Sequence, residues 1–138
     1  ADMIHLHPAA VKMAILAKGP AKVELITDAM EATDMPDGEY ELGGLPVYVK
    51  NGAARLVHGD NLAGSTLTMD KAVKNVITQL GIDPAWALRM ATATPAQAIG
   101  QGDRMGKVAQ GYLADLVLLD AGWTVERTII GGKTVYCR

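Results

Sequence analysis

Phenylalanine is absent from the 138 residues, and aromatic side chains make up only 4% of them. The core therefore has to be built from Ala, Val, Leu, Ile and the seven Met residues. Methionine is flexible enough to fill irregular gaps, so Met13, Met30, Met69 and Met90 are expected there. A single cysteine, Cys137, excludes an internal disulfide and suits a reducing, cytoplasmic compartment. Its one basic neighbour is Arg138, which makes a catalytic thiol a poor expectation. Neither charge dominates: the net charge of −2 provides no global field to attract nucleic acid. No apolar run approaches the roughly 18 residues of a membrane-spanning helix, so no membrane partner is expected. The opening ADMIHLHP lacks the basic and apolar regions of a signal peptide. It reads as the end of a buried strand, and the expectation is of a chain that begins inside a larger fold.

What is present reads as alternating helices and strands. PAAVKMAILAK (8–18) has Pro at a first helical position and Gly19 as a stop, with Val11, Ile15 and Leu16 expected on one face. KVELIT (22–27) reads as a strand ending at Asp28, and residues 29–44 as a loop. LPVYVK (45–50), Asn51-Gly52 and AARLVH (53–58) form a predicted hairpin, since Asn-Gly accepts the positive φ angles of a tight turn. Pro46 implies an edge strand. STLTMDKAVKNVITQL (65–80) is the clearest helical pattern, with Met69, Val73, Val76, Ile77 and Leu80 as its stripe. Asp83-Pro84 starts a helix through Met90, and Thr94-Pro95 a short one ending near Gly100. From Met105 onward the pattern becomes strands, in YLADLVLLD (112–120) and in a second hairpin turning at Gly131-Gly132. The order suggests an α/β fold: the C-terminal part of a (β/α)8 barrel in residues 1–104, with a hairpin insertion at about 40–60, and strands of a small antiparallel β-domain in 105–138. A complete barrel takes about 250 residues, so this chain has room for about the last two of eight barrel strands.

Three places could carry chemistry. Asp28 stands at a predicted strand end, where barrels place catalytic side chains, and a carboxylate there can pass a proton between water and a leaving amine. A strand-end Asp also caps turns, and position alone favours that simpler role. His5 and His7 have a spacing that puts two imidazoles on one side of a strand, as a metal pair would require. Pro8 follows at once, however, and His7 can instead cap the next helix. Leu62-Ala63-Gly64-Ser65 is expected to open the strongest helix, where free N–H groups bind anions or hydroxyls, although such turns open many helices without a ligand. His58 reads as a surface residue.

Four segments, ADMIHLHP (1–8), LITDAM (25–30), LAGSTLTMDKAVKN (62–75) and MATATPAQAIG (90–100), resemble N-acetylglucosamine-6-phosphate deacetylases of the amidohydrolase superfamily. They run in order over nearly the whole chain. The terminal GKVAQGYLADLVLLD…TIIGGKTVY resembles the closing segment of amidohydrolases generally. The resemblance implies that Asp28 is the catalytic proton donor and acceptor. It implies that Asp2, Met3, Ile4 and His5 stand on a substrate-binding Asp-Gly-Ile-His segment, and that Leu62, Ala63 and Gly64 line the sugar phosphate site. Met3 replaces a glycine of the family pattern, so it must point away from the pocket or narrow it. His7 inherits no role.

The family holds a divalent metal ion, of the zinc or iron class, on a Glu and two His of earlier barrel strands. Those segments are absent here, so no residue of this chain is expected to ligate the metal, and the chain alone is expected to be inactive. The implied partner is an amino-sugar phosphate substrate, hydrolysed to glucosamine 6-phosphate and acetate in amino-sugar metabolism, with a homodimer as the complete assembly. The alternatives are an amidohydrolase acting on a cyclic amide or an N-acyl amino acid, or an inactive piece completed by another chain.

Overall fold

In the computed structural model, which describes residues 1–138, the first helix, α1 (Pro8–Lys18), begins as its sequence predicts. His7 Nδ1 accepts a hydrogen bond from the Ala9 N–H at 3.2 Å, which satisfies one of the unpaired donors of a helix start. Gly19, at φ 75°, ends the helix and donates its N–H to the Ile15 carbonyl at 2.8 Å. Ile15 is buried, but Leu16 is 56% and Met13 68% exposed. Successive helical residues are rotated by roughly 100°, so Leu16 and Met13 fall off the narrow face that meets the core.

Residues 22–27, expected as a strand, join no ladder. Leu25 N–H donates to the Met90 carbonyl at 3.0 Å, and the segment reaches a strand-like contact only at the parallel bridge between Ala29 and Ser65. A strand is defined by its neighbour, and here the neighbour arrives after the apolar run has ended.

A four-stranded antiparallel sheet follows, from β1 (Gly38–Leu42), β2 (Leu45–Lys50), β3 (Ala53–Leu56) and β4 (Leu62–Ser65), paired in chain order. The Asn51-Gly52 hairpin between β2 and β3 is as expected, with both turn residues at positive φ. Two expectations fail. The stretch expected to be loop contains β1, joined to β2 through Gly43-Gly44 at φ 58° and 82°. Pro46 therefore lies in an interior strand rather than at an edge. It is tolerated because the β2–β3 ladder ends at the Val47–Leu56 pair, so its missing N–H interrupts nothing.

The third failure matters more for the site: Leu62–Ser65 is strand β4, not a helix start. Its backbone completes the sheet against β3, and Ser65 O accepts from Met30 N–H at 2.8 Å. The helix α2 (Met69–Thr78) begins only after Thr68, while Ser65 Oγ accepts from Leu67 N–H at 3.0 Å. Helix α3 (Pro84–Ala91) starts as predicted, with Asp83 Oδ1 accepting from Ala85 and Trp86 N–H. Helix α4 (Ala93–Ala98) starts two residues earlier than expected. Thr94 is buried inside it, and its hydroxyl donates to the Pro20 carbonyl at 2.7 Å.

One core cluster joins α1, α2 and α3 through Ile15, Val73, Val76, Leu80, Ala87 and Met90, with Leu25 and Ile82. A second lies under the four-stranded sheet, from Met30, Ala32, Val47, Val49 and Ala54. Met30 and Met90 thus fill core positions as expected, whereas Met69 is 36% exposed at the start of α2. The chain closes with a separate antiparallel sheet of β5 (Leu116–Leu119), β6 (Val125–Ile130) and β7 (Lys133–Cys137), the last two turning at Gly131-Gly132. The whole is a mixed α/β arrangement with two antiparallel sheets.

Candidate functional site

The parallel bridge between Ala29 and Ser65 sets the site, because it brings the end of the 22–28 segment against the end of β4. A cleft of about 280 Å³ opens there, lined by Asp2, His5, Thr27, Asp28, Ser65 and Leu67 among others. Asp28 is exposed and has φ 53°, in the left-handed region that few residues other than glycine, Asn and Asp adopt. Strain of this kind costs of order 1 kcal/mol and persists where its surroundings enforce it. Here the enforcing contact is the bridge one residue further on.

Asp2 enters the cleft from the N-terminal segment. Its Oδ1 accepts the N–H groups of Ile4 at 3.1 Å and His5 at 3.2 Å, and its Oδ2 lies 2.5 Å from His5 Nδ1. Partial burial alone would raise the Asp2 carboxyl. The hydrogen bonds from the His5 ring and from the Ile4 and His5 N–H groups outweigh it and hold the carboxyl below its usual value. A depressed carboxyl contributes stability above the unfolded-state value of about 3.9, and that contribution is lost as pH falls through the lower folded value. An Asp2→Asn variant is therefore expected to have a lower urea midpoint than the parent at pH 7. The gap should close below pH of about 4, and a gap independent of pH would refute this account.

His5 and His7 are not a pair. His5 is engaged with Asp2, while His7 caps α1. Met3 has φ 65° and packs against the first core cluster, so its side chain points away from the cleft. Glycine would take that φ without strain, and Met3 takes it with its side chain partly buried. Ile4 lines a neighbouring cleft of about 180 Å³, which shares Asp2 and Leu67 with the first and adds Thr66, Lys71 and Asn75.

Leu62, Ala63 and Gly64 do not line the Asp28 cleft, although Ser65 does. At Gly64, φ is 77°, and a Cβ would stand 3.1 Å from Met30 Sδ and 3.2 Å from Leu42 Cδ2. Its missing side chain thus makes room for core packing, and a ligand could meet this stretch only through other atoms.

Sequence reasoning passed over Lys71 and Asn75. Lys71 Nζ lies 3.3 Å from Asp34 Oδ1, and Asn75 donates to the Ala1 carbonyl at 3.2 Å, tying the N-terminal segment to α2. The available signal was helical spacing: the two are four residues apart and share a face of α2. His58 and Cys137 are exposed and line neither of these clefts. No three His, Cys, Asp or Glu side chains converge closely enough to hold a metal ion. No helix is long and apolar enough to cross a membrane.

Comparison with known proteins places this geometry in context. The Amidohydrolase family model matches residues 1–135. An Escherichia coli K12 protein named, provisionally, N-acetylgalactosamine-6-phosphate deacetylase is 41% identical over 133 residues, which are 96% of this chain and 78% of that one. The N-acetylglucosamine-6-phosphate deacetylase of Vibrio furnissii is 40% identical over 136 residues, 99% of this chain and 34% of the relative. Among solved structures, a variant of N-acetyl-D-glucosamine-6-phosphate deacetylase from Mycobacterium smegmatis, in complex with N-acetyl-D-glucosamine-6-phosphate, superposes with a TM-score of 0.90 at 36% identity. That superposition covers 97% of this chain and 36% of the other. The chain thus spans about a third of the length of the last two proteins.

Proposed function

Since the chain belongs to the amidohydrolase family, its model matching residues 1–135, we propose that it is the part of a carbohydrate N-deacetylase that supplies the proton-transfer residue. The reaction is hydrolysis of N-acetylglucosamine 6-phosphate to glucosamine 6-phosphate and acetate. The observation that carries this reading is the meeting of Asp28 with Asp2 and His5 in one cleft. Three residues from two segments of the resemblance, more than 20 positions apart, line the same space.

Asp28 takes a proton from water as the water attacks the acetyl carbonyl, and returns it to the amine nitrogen as the C–N bond breaks. His5 and Ile4 contact the substrate from the N-terminal segment, with Asp2 and Met3 supporting them. Leu62, Ala63 and Gly64, which lie outside the Asp28 cleft, would meet the sugar phosphate through the backbone of β4. The divalent metal ion that the resemblance implies, of the zinc or iron class, does not fit the residues of this chain, which offer no converging set of three ligands. Its ligands are placed outside the chain, and so is much of the phosphate site. On this reading residues 1–104 close a (β/α)8 barrel, with the β1–β4 sheet containing the hairpin insertion at about 40–60. Residues 105–138 add strands to a small β-domain. The 138-residue chain alone is then inactive, and the complete protein is a cytoplasmic homodimer.

A second reading differs only at one sugar carbon. The E. coli relative at 41% identity is named for the galactosamine epimer, which favours testing N-acetylgalactosamine 6-phosphate alongside. Deacetylation by the full-length protein should be measured on both sugar phosphates and on N-acyl amino acids. We expect the highest kcat/KM on N-acetylglucosamine 6-phosphate. Preference for the galactosamine epimer would establish the second reading. Turnover of N-acyl amino acids without turnover of either sugar phosphate would overturn both.

A further inference from the structure

The resemblance treats Asp2 and His5 alike, as members of one substrate-binding segment, but the structure separates their roles. A carboxylate has no proton to donate, so the 2.5 Å contact between Asp2 Oδ2 and His5 Nδ1 requires the proton to sit on Nδ1. The other carboxylate oxygen is taken by the Ile4 and His5 N–H groups. The Asp2 side chain is only 15% exposed, whereas that of His5 is 40% exposed. Asp2 is thus saturated from within its own segment, while the opposite ring nitrogen of His5, Nε2, makes no hydrogen bond to protein and His5 lines the cleft beside Asp28.

We propose that Asp2 is a positioning residue: it clamps the His5 ring, fixes its proton on Nδ1, and so presents Nε2 to the substrate cleft. Three hydrogen bonds to one carboxylate hold the 2–5 turn as a unit, and the positive φ of Met3 lies inside that turn. The segment therefore acts as a rigid bracket for one imidazole. Outer partners of this kind commonly set which nitrogen of a histidine is available.

Asp2→Asn tests the clamp cleanly. The asparagine carbonyl can still accept the two backbone N–H groups, which leaves its NH₂ facing His5 Nδ1. A donor there reverses the requirement: Nδ1 must become the acceptor and Nε2 must carry the proton. Long-range ¹H–¹⁵N correlation spectra of the full-length protein distinguish the two tautomers. They are recorded over a pH series, and the tautomer is read on the alkaline side, where the ring signals no longer change with pH. The His5 signals are assigned by their loss in His5→Gln.

The parent should show the proton on Nδ1 and the Asp2→Asn variant on Nε2. A parent with the proton on Nε2, or a variant with an unchanged tautomer, overturns the proposal. The kinetic arm rests on the deacetylase reading above. There Asp2→Asn should reduce kcat/KM on N-acetylglucosamine 6-phosphate by about 10–100-fold, mostly through KM. Reversal of the tautomer with unchanged kinetics would uphold the clamp and overturn the use of His5 in deacetylation, so the two failures are distinguishable.

Discussion

Full-length protein carrying Asp28→Asn is expected to deacetylate N-acetylglucosamine 6-phosphate about 10²–10⁴-fold more slowly than the parent, with most of the loss in kcat. Asparagine has nearly the shape of aspartate but cannot take up the proton of an attacking water or deliver it to the leaving amine. It is also the right replacement for the backbone. Asp28 has φ 53°, a conformation that Asn accepts about as readily as Asp and that Ala accepts poorly. Asp28→Ala would mix a chemical loss with backbone strain, whereas Asp28→Asn should leave the thermal midpoint nearly unchanged. Activity within tenfold of the parent, at an unchanged midpoint, would remove Asp28 from the chemistry and return it to the role of a turn residue.

The largest stability effect is expected at a residue that has no part in the chemistry. Gly106 has φ 87°, and a Cβ built on it would lie 2.9 Å from Ala93 Cα, from Ala96 Cβ and from the Thr92 carbonyl oxygen. Two of those three are backbone atoms of the α4 region and cannot swing aside. Gly106→Ala combines about 1–2 kcal/mol for the left-handed backbone with about 1–3 kcal/mol for overpacking, so a loss of roughly 2–5 kcal/mol is expected. Gly111 is the matched control: its φ is 86°, and nothing lies within 4 Å of a Cβ built there. Gly111→Ala should therefore show only the backbone part, about 1–2 kcal/mol. Urea denaturation of both variants measures the difference. Equal losses would mean that the chain after α4 does not pack as closely as the structure has it.

Much of the architecture could be read without coordinates, and the reasons are local. Pro8 and Asp83-Pro84 mark helix starts because the groups they satisfy lie within one turn. Asn51-Gly52 and Gly131-Gly132 mark hairpins because the φ angles they permit are themselves the turn. Strand β1 escaped notice because GEYEL carries two exposed glutamates and lies among turn-forming residues, so its alternation is weak. Leu62–Ser65 reads locally as a helix start because Gly-Ser before an apolar stripe resembles a cap. Its strand character comes from β3 and from Ala29, both outside any helical window.

At the site the division is sharper. The identity of Asp28 rested on resemblance rather than position, and its meeting with Asp2 and His5 could not be read from spacing, since the intervening chain folds into α1. The capping role of His7 was within reach of local reasoning. The engagement of Asp2 with His5 and the burial of Met3 were not.

The sequence by itself determined the starts of α1 and α3, the glycine turns, the composition of the core and the family, because each depends on residue types within a few positions or on their linear order. Only the tertiary structure decided which extended segments became strands, where Pro46 fell in its sheet, and which side chains share the Asp28 cleft. Ladder pairing and cleft formation depend on partners tens of residues away, and a local window contains no information about a partner's position.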